Sequence, residues 1–160
     1  FYLGCFLNQN KMTLKRTNQD NKGFQSLVKK LDAELAIRDG DDHAFYHQFN
    51  GIDDLNHVVV CVDNNSAVAC GAFKARTQKQ VEIKRMYVAE SHRLKGLAQK
   101  VLLALEAWAA ELGYCDAVLE TGKAQIEALS FYPKLGYRVI PNFSPYEGVE
   151  NSVCFQKPLV

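Results

Sequence analysis

The strongest constraint on the fold of this chain is a change of hydrophobic periodicity within residues 57–113. Residues 57–62, 67–73 and 81–88 are apolar, β-branched runs separated by turn-forming residues, and they predict three antiparallel strands. Apolar residues then recur at spacings of four, four, three and four, at Leu97, Val101, Leu105, Trp108 and Leu112. That spacing predicts a long amphipathic helix that packs on a sheet.

Shorter patterns on either side complete the predicted architecture. An apolar stripe across residues 24–36 predicts a helix that begins near Lys22, after the turn-prone residues 18–21, and ends before Gly40. The remaining predicted elements are strands at 12–17, 116–120, 137–140 and 152–156 and helices at 42–49 and 124–132. Antiparallel strands followed by alternating strands and helices predict an α/β (α+β) fold, with a mixed, mostly antiparallel central sheet and helices on both faces.

The third strand of the antiparallel group carries an irregularity. Strand alternation places Val81 and Ile83 on one face, whereas Met86 and Val88 fall on the other. A slip of one residue predicts a β-bulge near residues 84–85, and bulges often redirect side chains beside a functional site.

Composition and charge exclude several classes of protein. The chain has 160 residues with 48% hydrophobic and 23% charged residues, which predicts one globular domain over residues 12–160. Residues 1–11 are either an N-terminal extension or a non-native remnant, and their resemblance to a signal peptide is weak. The net charge is only +1, and no apolar run approaches the roughly 18 residues that span a bilayer, so we expect neither a nucleic-acid partner nor a membrane.

The cysteines favour a reducing, cytoplasmic location. They are odd in number, widely spaced and without the paired spacing of zinc sites, so we expect no disulfide framework and no metal. We expect inert, buried thiols rather than nucleophiles at most of these positions: Cys5, Cys61, Cys70, Cys115 and Cys154.

The loop between the third strand and the long helix carries the clearest chemical signal. It presents Arg93, Lys95 and Gly96 directly before a helix N-terminus. A helix start offers unpaired N–H donors and partial positive charge, and a glycine lets a pyrophosphate approach the backbone. The alternative is a solvated basic turn with a glycine for packing, which the loop alone would favour.

Two motifs that follow one another along the chain favour the phosphate site over the solvated turn. The segment R-x-x-G-x-A at residues 93–98 and the segment A-x-x-F-Y-x-x-x-G-Y at residues 128–137 match the two signatures of the GNAT superfamily of N-acetyltransferases. The chain resembles this superfamily over residues 58–155. The resemblance implies a GNAT-like sheet in which the third strand of the hairpin group and the strand at 116–120 splay apart.

The same resemblance implies acetyl-CoA as cosubstrate and no metal. Backbone groups of Met86 and Val88 would bind the pantetheine arm, and Gln125 stands where many members have an asparagine that reaches this arm. The pyrophosphate would be held by the loop residues Arg93, Leu94, Lys95, Gly96, Leu97 and Ala98.

Three departures from the family pattern carry structural expectations. Leu94 replaces a common glycine, so we expect a negative φ there. Pro133 directly follows Tyr132, so we expect the helix to kink or end at that point. Glu90 replaces a frequent proline and would loosen the strand exit.

Acetyl transfer needs a proton acceptor for the amine, an oxyanion stabiliser and a proton donor for the thiolate. The resemblance suggests Tyr132 as the acid, Glu82 as the base and the Val88 N–H as the oxyanion donor. The alternatives are a packed tyrosine with its hydroxyl in water and a strand glutamate that pairs with Lys84. Trp108 is expected in the core.

Acceptor recognition is expected in residues 38–49 and 141–150, which flank the acceptor end of the cleft in GNAT-like folds. Their acidic and aromatic side chains suit a cationic amine. Alternatively, Asp41 and Asp42 only cap the short helix and the tyrosines cover the surface. The candidate acceptor-binding residues are Arg38, His43, Tyr46 and Tyr146.

The functional expectation is an N-acetyltransferase that transfers acetyl to a primary amine of a small molecule or peptide, by direct attack in a ternary complex. One alternative is a non-catalytic CoA-binding sensor or scaffold domain of the same fold. Another is an interaction protein whose N-terminal helices bind a second chain. A homodimer remains open in either case.

Overall fold

A computed structural model describes residues 12–159, so the expectation for residues 1–11 lies outside the described residues. No helix in the described part of the chain is long and apolar enough to cross a membrane. The elements are β1 (Thr13–Thr17), α1 (Lys22–Asp39), α2 (His43–His47), β2 (His57–Asp63), β3 (Ser66–Ala75), β4 (Gln80–Val88), α3 (Leu97–Glu111), β5 (Asp116–Gly122), α4 (Ile126–Lys134), β6 (Arg138–Ile140) and β7 (Ser152–Pro158), with 3₁₀ turns at Gly40–Asp42 and Glu90–His92.

The strands of the described region form one mixed sheet with the order β1-β2-β3-β4-β5-β7-β6. All neighbouring strands are antiparallel except β4 and β5. These two pair in parallel over only three positions, Gln80–Glu82 against Asp116–Val118. Beyond Glu82 the ladder stops, and the two strands leave a wedge-shaped opening in the middle of the sheet. The predicted mixed, splayed sheet is confirmed.

The bulge predicted near residues 84–85 is present. In the β3–β4 ladder, Cys70 faces Tyr87 and Ala72 faces Lys84, so two residues of β4 oppose one of β3. Arg85 takes the left-handed conformation, with φ +57°. The residue opposite is Gly71, where an added Cβ would lie 2.3 Å from Met86 Sδ, so only a glycine leaves room for that side chain.

Helices cover both faces of the sheet. α3 packs on one face, where Val101, Leu102 and Leu105 are fully buried against strand residues such as Phe73. α1 packs on the other face through a cluster that includes Phe24, Leu27, Val28 and Leu31. The polar run before α1 caps this helix as expected, since Asn21 Oδ1 accepts a 2.9 Å hydrogen bond from the Phe24 N–H.

Among residues 12–159 the expectation of buried thiols is wrong at one position, and Cys5 lies outside the described residues. Cys61, Cys70 and Cys154 are buried, but Cys115 is exposed, because it lies in the loop between α3 and β5 rather than inside the strand. Trp108 packs as expected against the core, with its ring 5.7 Å from Phe73.

Candidate active site

The loop from β4 to α3 forms a helix N-terminus open to an anion. Gly96 takes the left-handed conformation, with φ +76°, and begins the helix without a side-chain cap. The first main-chain bond of the helix runs from Lys100 N–H to Gly96 C=O at 3.2 Å. The amides before Lys100 have no intrahelical acceptor and are available to a phosphate.

The expected negative φ at Leu94 is wrong. Leu94 adopts φ +62°, so the loop keeps the left-handed turn that a glycine would adopt more easily. Its side chain is fully exposed, so the conformation creates no packing conflict. The backbone still carries strain on the order of 1–2 kcal/mol, and such strain is common at ligand-binding loops.

Arg93 is held in place by groups from two other elements. Its Nε donates to the Val88 carbonyl at 3.0 Å, and its Nη2 contacts Glu34 of α1 at 2.6 Å. The Tyr87 hydroxyl also donates to Glu34 at 3.2 Å. Glu34 therefore orients Arg93, the residue that is predicted to bind the pyrophosphate. The sequence pattern did not indicate this role, because Glu34 and Arg93 are 59 residues apart in the chain.

Beyond the bulge, Val88 of β4 turns its backbone N–H toward the opening, while its C=O accepts the hydrogen bond from Arg93 Nε. Ala89 N–H donates to Val68 C=O at 2.8 Å, which makes these two a hydrogen-bonded pair. Val88 faces Ala69 in the next, non-hydrogen-bonded position of the ladder. The Val88 N–H and C=O consequently point away from β3 and toward the wedge. An extended ligand arm can bind there as an added strand does.

A groove between α1 and α4 runs along this edge, and Met86, Val88, Arg93 and Gln125 all line it. Arg38 lines the same groove rather than the acceptor side. It forms a forked ion pair across the groove with Glu127, at 2.7 and 3.3 Å. Four of the predicted cosubstrate residues thus line one groove, while residues 94–98 lie in the loop and helix start beyond it. The cosubstrate roles of these residues and the acceptor role of Arg38 stay predictions.

A narrow cavity of about 100 Å³ lies in the wedge between β4 and β5. It brings together several residues that the sequence pattern singled out separately, namely Glu82, Met86, Gln125, Tyr132, Tyr46 and Tyr146. The volume suits a small group such as an acetyl rather than a whole ligand.

Tyr132 lies at the wall of this cavity. It is 7% exposed, with its ring packed between Tyr137 at 5.6 Å and Phe155 at 6.0 Å. Burial raises the pKa of Tyr132, so the phenol stays protonated and can act only as a proton donor near neutral pH. As expected from Pro133, α4 ends almost at once, at Lys134, so Tyr132 occupies the last turn.

Glu82 lies at the cavity and pairs with Lys84, and its role as the base stays a prediction. It lines the cavity, and it also forms an ion pair with Lys84, whose Nζ lies 3.5 Å from Oε1. The two side chains are only 14% and 15% exposed, so this is not a solvated surface pair.

Glu120 of β5 is the main group that the sequence analysis missed. It lines the same cavity, and its Oε1 is buried with no hydrogen-bond partner among residues 12–159. Burial, together with the negative charges of Glu82 and Asp39, raises the pKa of Glu120 to about 7, despite a hydrogen bond from Ser152 that acts in the opposite direction. The available signal was a glutamate inside an apolar strand.

The predicted acceptor tyrosines are buried, not surface groups. Tyr46 is 5% exposed and its hydroxyl lies 2.9 Å from Ser152 Oγ, while Tyr146 is 3% exposed and packs against Tyr46. Burial raises the pKa of both phenols.

No carboxylate caps α2, because Asp42 makes no side-chain cap bond there. The His43 ring, at the start of α2, lies 5.4 Å from the His47 ring in a tilted arrangement, and its acceptor role stays a prediction.

A wider cleft of about 480 Å³ adjoins the narrow cavity at Glu82. Its walls come from residues 48–54, the β3–β4 hairpin and residues 144–146. Glu82, Lys84 and Tyr146 line both this cleft and the narrow cavity. Groove, cavity and cleft therefore meet at the splayed strands. No group of three or more His, Cys, Asp or Glu residues in the described part of the chain is placed to ligate a metal.

Comparisons with known proteins agree with this geometry. The profile of the acetyltransferase (GNAT) family matches residues 24–137. The uncharacterized N-acetyltransferase YsnE of Bacillus subtilis is 34% identical over 99 residues, a match that covers 61% of this chain and just under two thirds, 66%, of that protein.

Solved structures show the same fold over nearly the whole chain. A candidate acyl-CoA N-acyltransferase from Klebsiella pneumoniae superimposes with a TM-score of 0.78 at 28% identity, covering 94% of this chain and 99% of that one. A GNAT acetyltransferase from Elizabethkingia anophelis, solved with acetyl-CoA bound, gives a TM-score of 0.64 at 18% identity, covering 94% of this chain and 99% of that one. With the family profile matching most of its length, the chain belongs to the GNAT family of acetyltransferases.

Proposed function

We propose that this protein is an N-acetyltransferase that moves the acetyl group of acetyl-CoA to a primary amine of a small molecule or peptide, by direct attack in a ternary complex. The observation that carries the proposal is the continuity of the site. A phosphate-binding helix N-terminus, an open strand edge and a cavity with a phenol and two carboxylates lie along one path through the splayed sheet.

The chain has suitable groups for each part of the cosubstrate. The amides of residues 94–98 and the charges of Arg93 and Lys95 would hold the pyrophosphate. The backbone at Met86 and Val88 would bind the pantetheine, and Gln125 lies beside the same groove. This arrangement directs the thioester toward the narrow cavity.

The reaction then follows from the groups around that cavity. The amine nitrogen attacks the thioester carbonyl, so a C–N bond forms and the C–S bond breaks. The N–H of Val88, which lines the adjoining groove, would stabilise the oxygen that becomes negative. Tyr132, which lines the cavity, would give its proton to the departing thiolate. A carboxylate takes the proton that the attacking ammonium must lose.

Two carboxylates compete for the role of base. Glu82 is the candidate from the resemblance, but its charge is shared with Lys84. Glu120 forms no ion pair within residues 12–159, although the charge of Lys84 lowers its pKa. The resulting pKa of about 7 matches that of a base working at neutral pH. We propose Glu120 as the proton acceptor, with Glu82 acting on it electrostatically and as a route to the cleft.

The non-catalytic sensor is the second candidate. A sensor would need the groove and the phosphate loop but not a phenol and two buried carboxylates, which cost stability when they have no chemical use. The third candidate, an interaction protein that uses its N-terminal helices, is weakened because the apolar stripe of α1 already packs on the sheet.

The decisive experiment is a thiol-release screen with acetyl-CoA against polyamines, amino acids, aminoglycosides and peptide N-termini. Turnover with at least one amine supports the proposal. CoA binding without turnover of any amine would favour the sensor instead. A size-exclusion and pull-down comparison tests the interaction protein and the homodimer.

A further inference from the structure

We propose that the cleft on the acceptor side contains a carboxylate subsite built around Arg76, so that the acceptor is a small molecule that carries both a primary amine and a carboxylate, as an amino acid does. This inference rests on the proposed function only in that the amine of the bound molecule is acetylated. The carboxylate contact itself is a binding property.

Arg76 is held rigidly at the mouth of the β3–β4 hairpin. Its backbone N–H donates to the Gln80 carbonyl at 2.8 Å, and its guanidinium lies over the Phe143 ring, with Cζ 4.1 Å from the ring centre. The aromatic face fixes the plane of the guanidinium, and the half-buried side chain forms part of the wall of the cleft. A fixed, planar fork of donors is the geometry that binds a carboxylate through two hydrogen bonds.

The donors of Arg76 are not satisfied by the protein. Within residues 12–159, Arg76 has no ion pair, and its Nη1 is buried without a hydrogen-bond partner. Buried cations in proteins are normally paired, because an unpaired buried donor loses its hydration with nothing in return. Arg85 also has one buried nitrogen without a hydrogen-bond partner in the described part of the chain, its Nε, but unlike Arg76 it forms an ion pair, with Asp32.

The position of this unpaired cation points to a ligand. Arg76 lines the 480 Å³ cleft, a volume within the usual range for small-molecule sites, together with Glu82. Glu82 also borders the narrow cavity that holds Tyr132. A molecule in the cleft can therefore place an anionic group at Arg76 and direct its amine along Glu82 toward the thioester.

The remaining charges of the cleft favour a zwitterion over a polyamine or a polyanion. Lys74 and Lys84 supply positive charge, and Asp53, Asp54 and Glu82 supply negative charge. With Arg76 the two signs are balanced in number, so a ligand of one sign would meet repulsion from half of the wall. An amine and a carboxylate on the same small molecule meet an opposite charge at each end.

Matched pairs of acceptors test this directly in the thiol-release assay. The probes are L-leucine against 3-methylbutylamine, L-phenylalanine against 2-phenylethylamine and L-ornithine against putrescine, each pair differing by the carboxylate. We expect the carboxylate-bearing member of at least one pair to have a kcat/KM higher by roughly 10- to 100-fold, the range of a hydrogen bond to a charged group. Arg76→Gln should abolish that preference and leave the kcat/KM of the carboxylate-free amine nearly unchanged.

Lys79→Gln is the matched control, because it removes the same charge from an exposed position in the same hairpin. It should retain the preference. Circular dichroism and an unchanged melting shift with CoA verify that Arg76→Gln is folded. If the carboxylate-free amines are used as well as the amino acids, or if Arg76→Gln keeps the preference, the subsite is overturned.

A binding measurement separates this inference from the proposed function. The three amino acids and the three amines are added to the CoA-bound protein, and the melting temperature is recorded. If no amine is acetylated but an amino acid still raises the melting temperature of the wild type and not of Arg76→Gln, the proposed function fails while the subsite stands. If no amino acid is acetylated or raises the melting temperature, the subsite is wrong.

Discussion

Glu120 acquires its chemistry from groups far away in the chain. A glutamate on a strand is normally ionised and solvated. Glu120, however, lies on β5, an inner strand of the sheet, and its side chain faces the wedge. Glu82 lies on β4 and Asp39 at the end of α1. Their negative charges, together with burial, raise the pKa of Glu120. The carboxyl that results is a stronger base than an ordinary glutamate.

The pH dependence of the rate distinguishes the two candidate bases. We expect kcat/KM of the wild type to fall below about pH 7, as Glu120 becomes protonated. Glu120→Gln should lower the rate by at least ~100-fold and remove this dependence. Glu82→Gln should leave the dependence in place but shift its midpoint to lower pH, because a negative charge near Glu120 is lost. The measurement is a kcat/KM profile from pH 5.5 to 9 for the three proteins, and the reverse pattern would assign the base to Glu82.

The hydroxyl of Tyr132 is expected to act on chemistry and not on binding. Tyr132→Phe should reduce kcat by roughly 10²–10⁴-fold, the range of general acid catalysis, with little change in CoA affinity. Tyr137→Phe is a matched control, since Tyr137 contacts Tyr132 but its own hydroxyl is bonded to Glu106 at 2.9 Å. An unchanged kcat in Tyr132→Phe, measured at saturating acetyl-CoA, would remove the phenol from the mechanism.

Helix α3 combines the two features predicted from its sequence, an apolar stripe and a glycine at its start. Its apolar stripe fixes it to the sheet, and its glycine start leaves backbone donors at the end of β4. The site therefore depends on a local feature at one helix end, and its test is local as well.

Gly96→Glu should remove most of the melting shift that CoA produces. The substitution puts a carboxylate where the phosphates approach, and it strains a backbone with φ +76°. Gly113→Glu carries the same strain, at φ +91° with nothing within 4 Å, but at the opposite end of α3. We expect Gly113→Glu to lower the melting temperature without changing the shift with CoA. A full shift in Gly96→Glu, measured by thermal unfolding with and without CoA, would show that the phosphates bind elsewhere.

Elements and their order could be predicted from the sequence because local spacing determines them. The bulge at Arg85, the cap at Asn21 and the end of α4 after Pro133 all follow from residues close in the chain. Leu94 shows the limit of this reasoning, because the loop imposed the left-handed turn on a residue that disfavours it. Contacts between distant segments could not be predicted in this way, which is why Glu34, Glu120 and Arg76 were missed.

At the scale of the whole molecule, the site is an interruption of the sheet and of the core. The two strands stop pairing after Glu82, and polar groups such as Glu120 occupy positions that apolar residues would fill in a closed sheet. Function of this kind reduces stability, since each buried carboxylate loses hydration on folding. The cost should be measurable as a dependence of stability on pH.

Glu120 fixes the sign of that dependence. Its pKa is about 7 in the folded protein against an ordinary value of 4.5, so the folded state favours the protonated form. Its stabilising contribution is complete below about pH 4.5 and is lost as pH rises through 7. The difference between these two pKa values corresponds to about 3 kcal/mol in the free energy of unfolding.

Glu120→Gln should therefore be more stable than the wild type at pH 8, although it is far less active. Glutamine has nearly the same shape and no charge to bury, so the advantage should shrink toward pH 5 and stay constant above about pH 8. Urea unfolding of both proteins from pH 5 to 9 measures the difference in the free energy of unfolding. Glu127→Gln, at an exposed carboxylate, serves as the control, because its effect should not rise through pH 7. A difference for Glu120→Gln that does not change with pH would mean that the Glu120 carboxylate is ionised in the folded protein at every pH tested, and it would also count against this residue as the base.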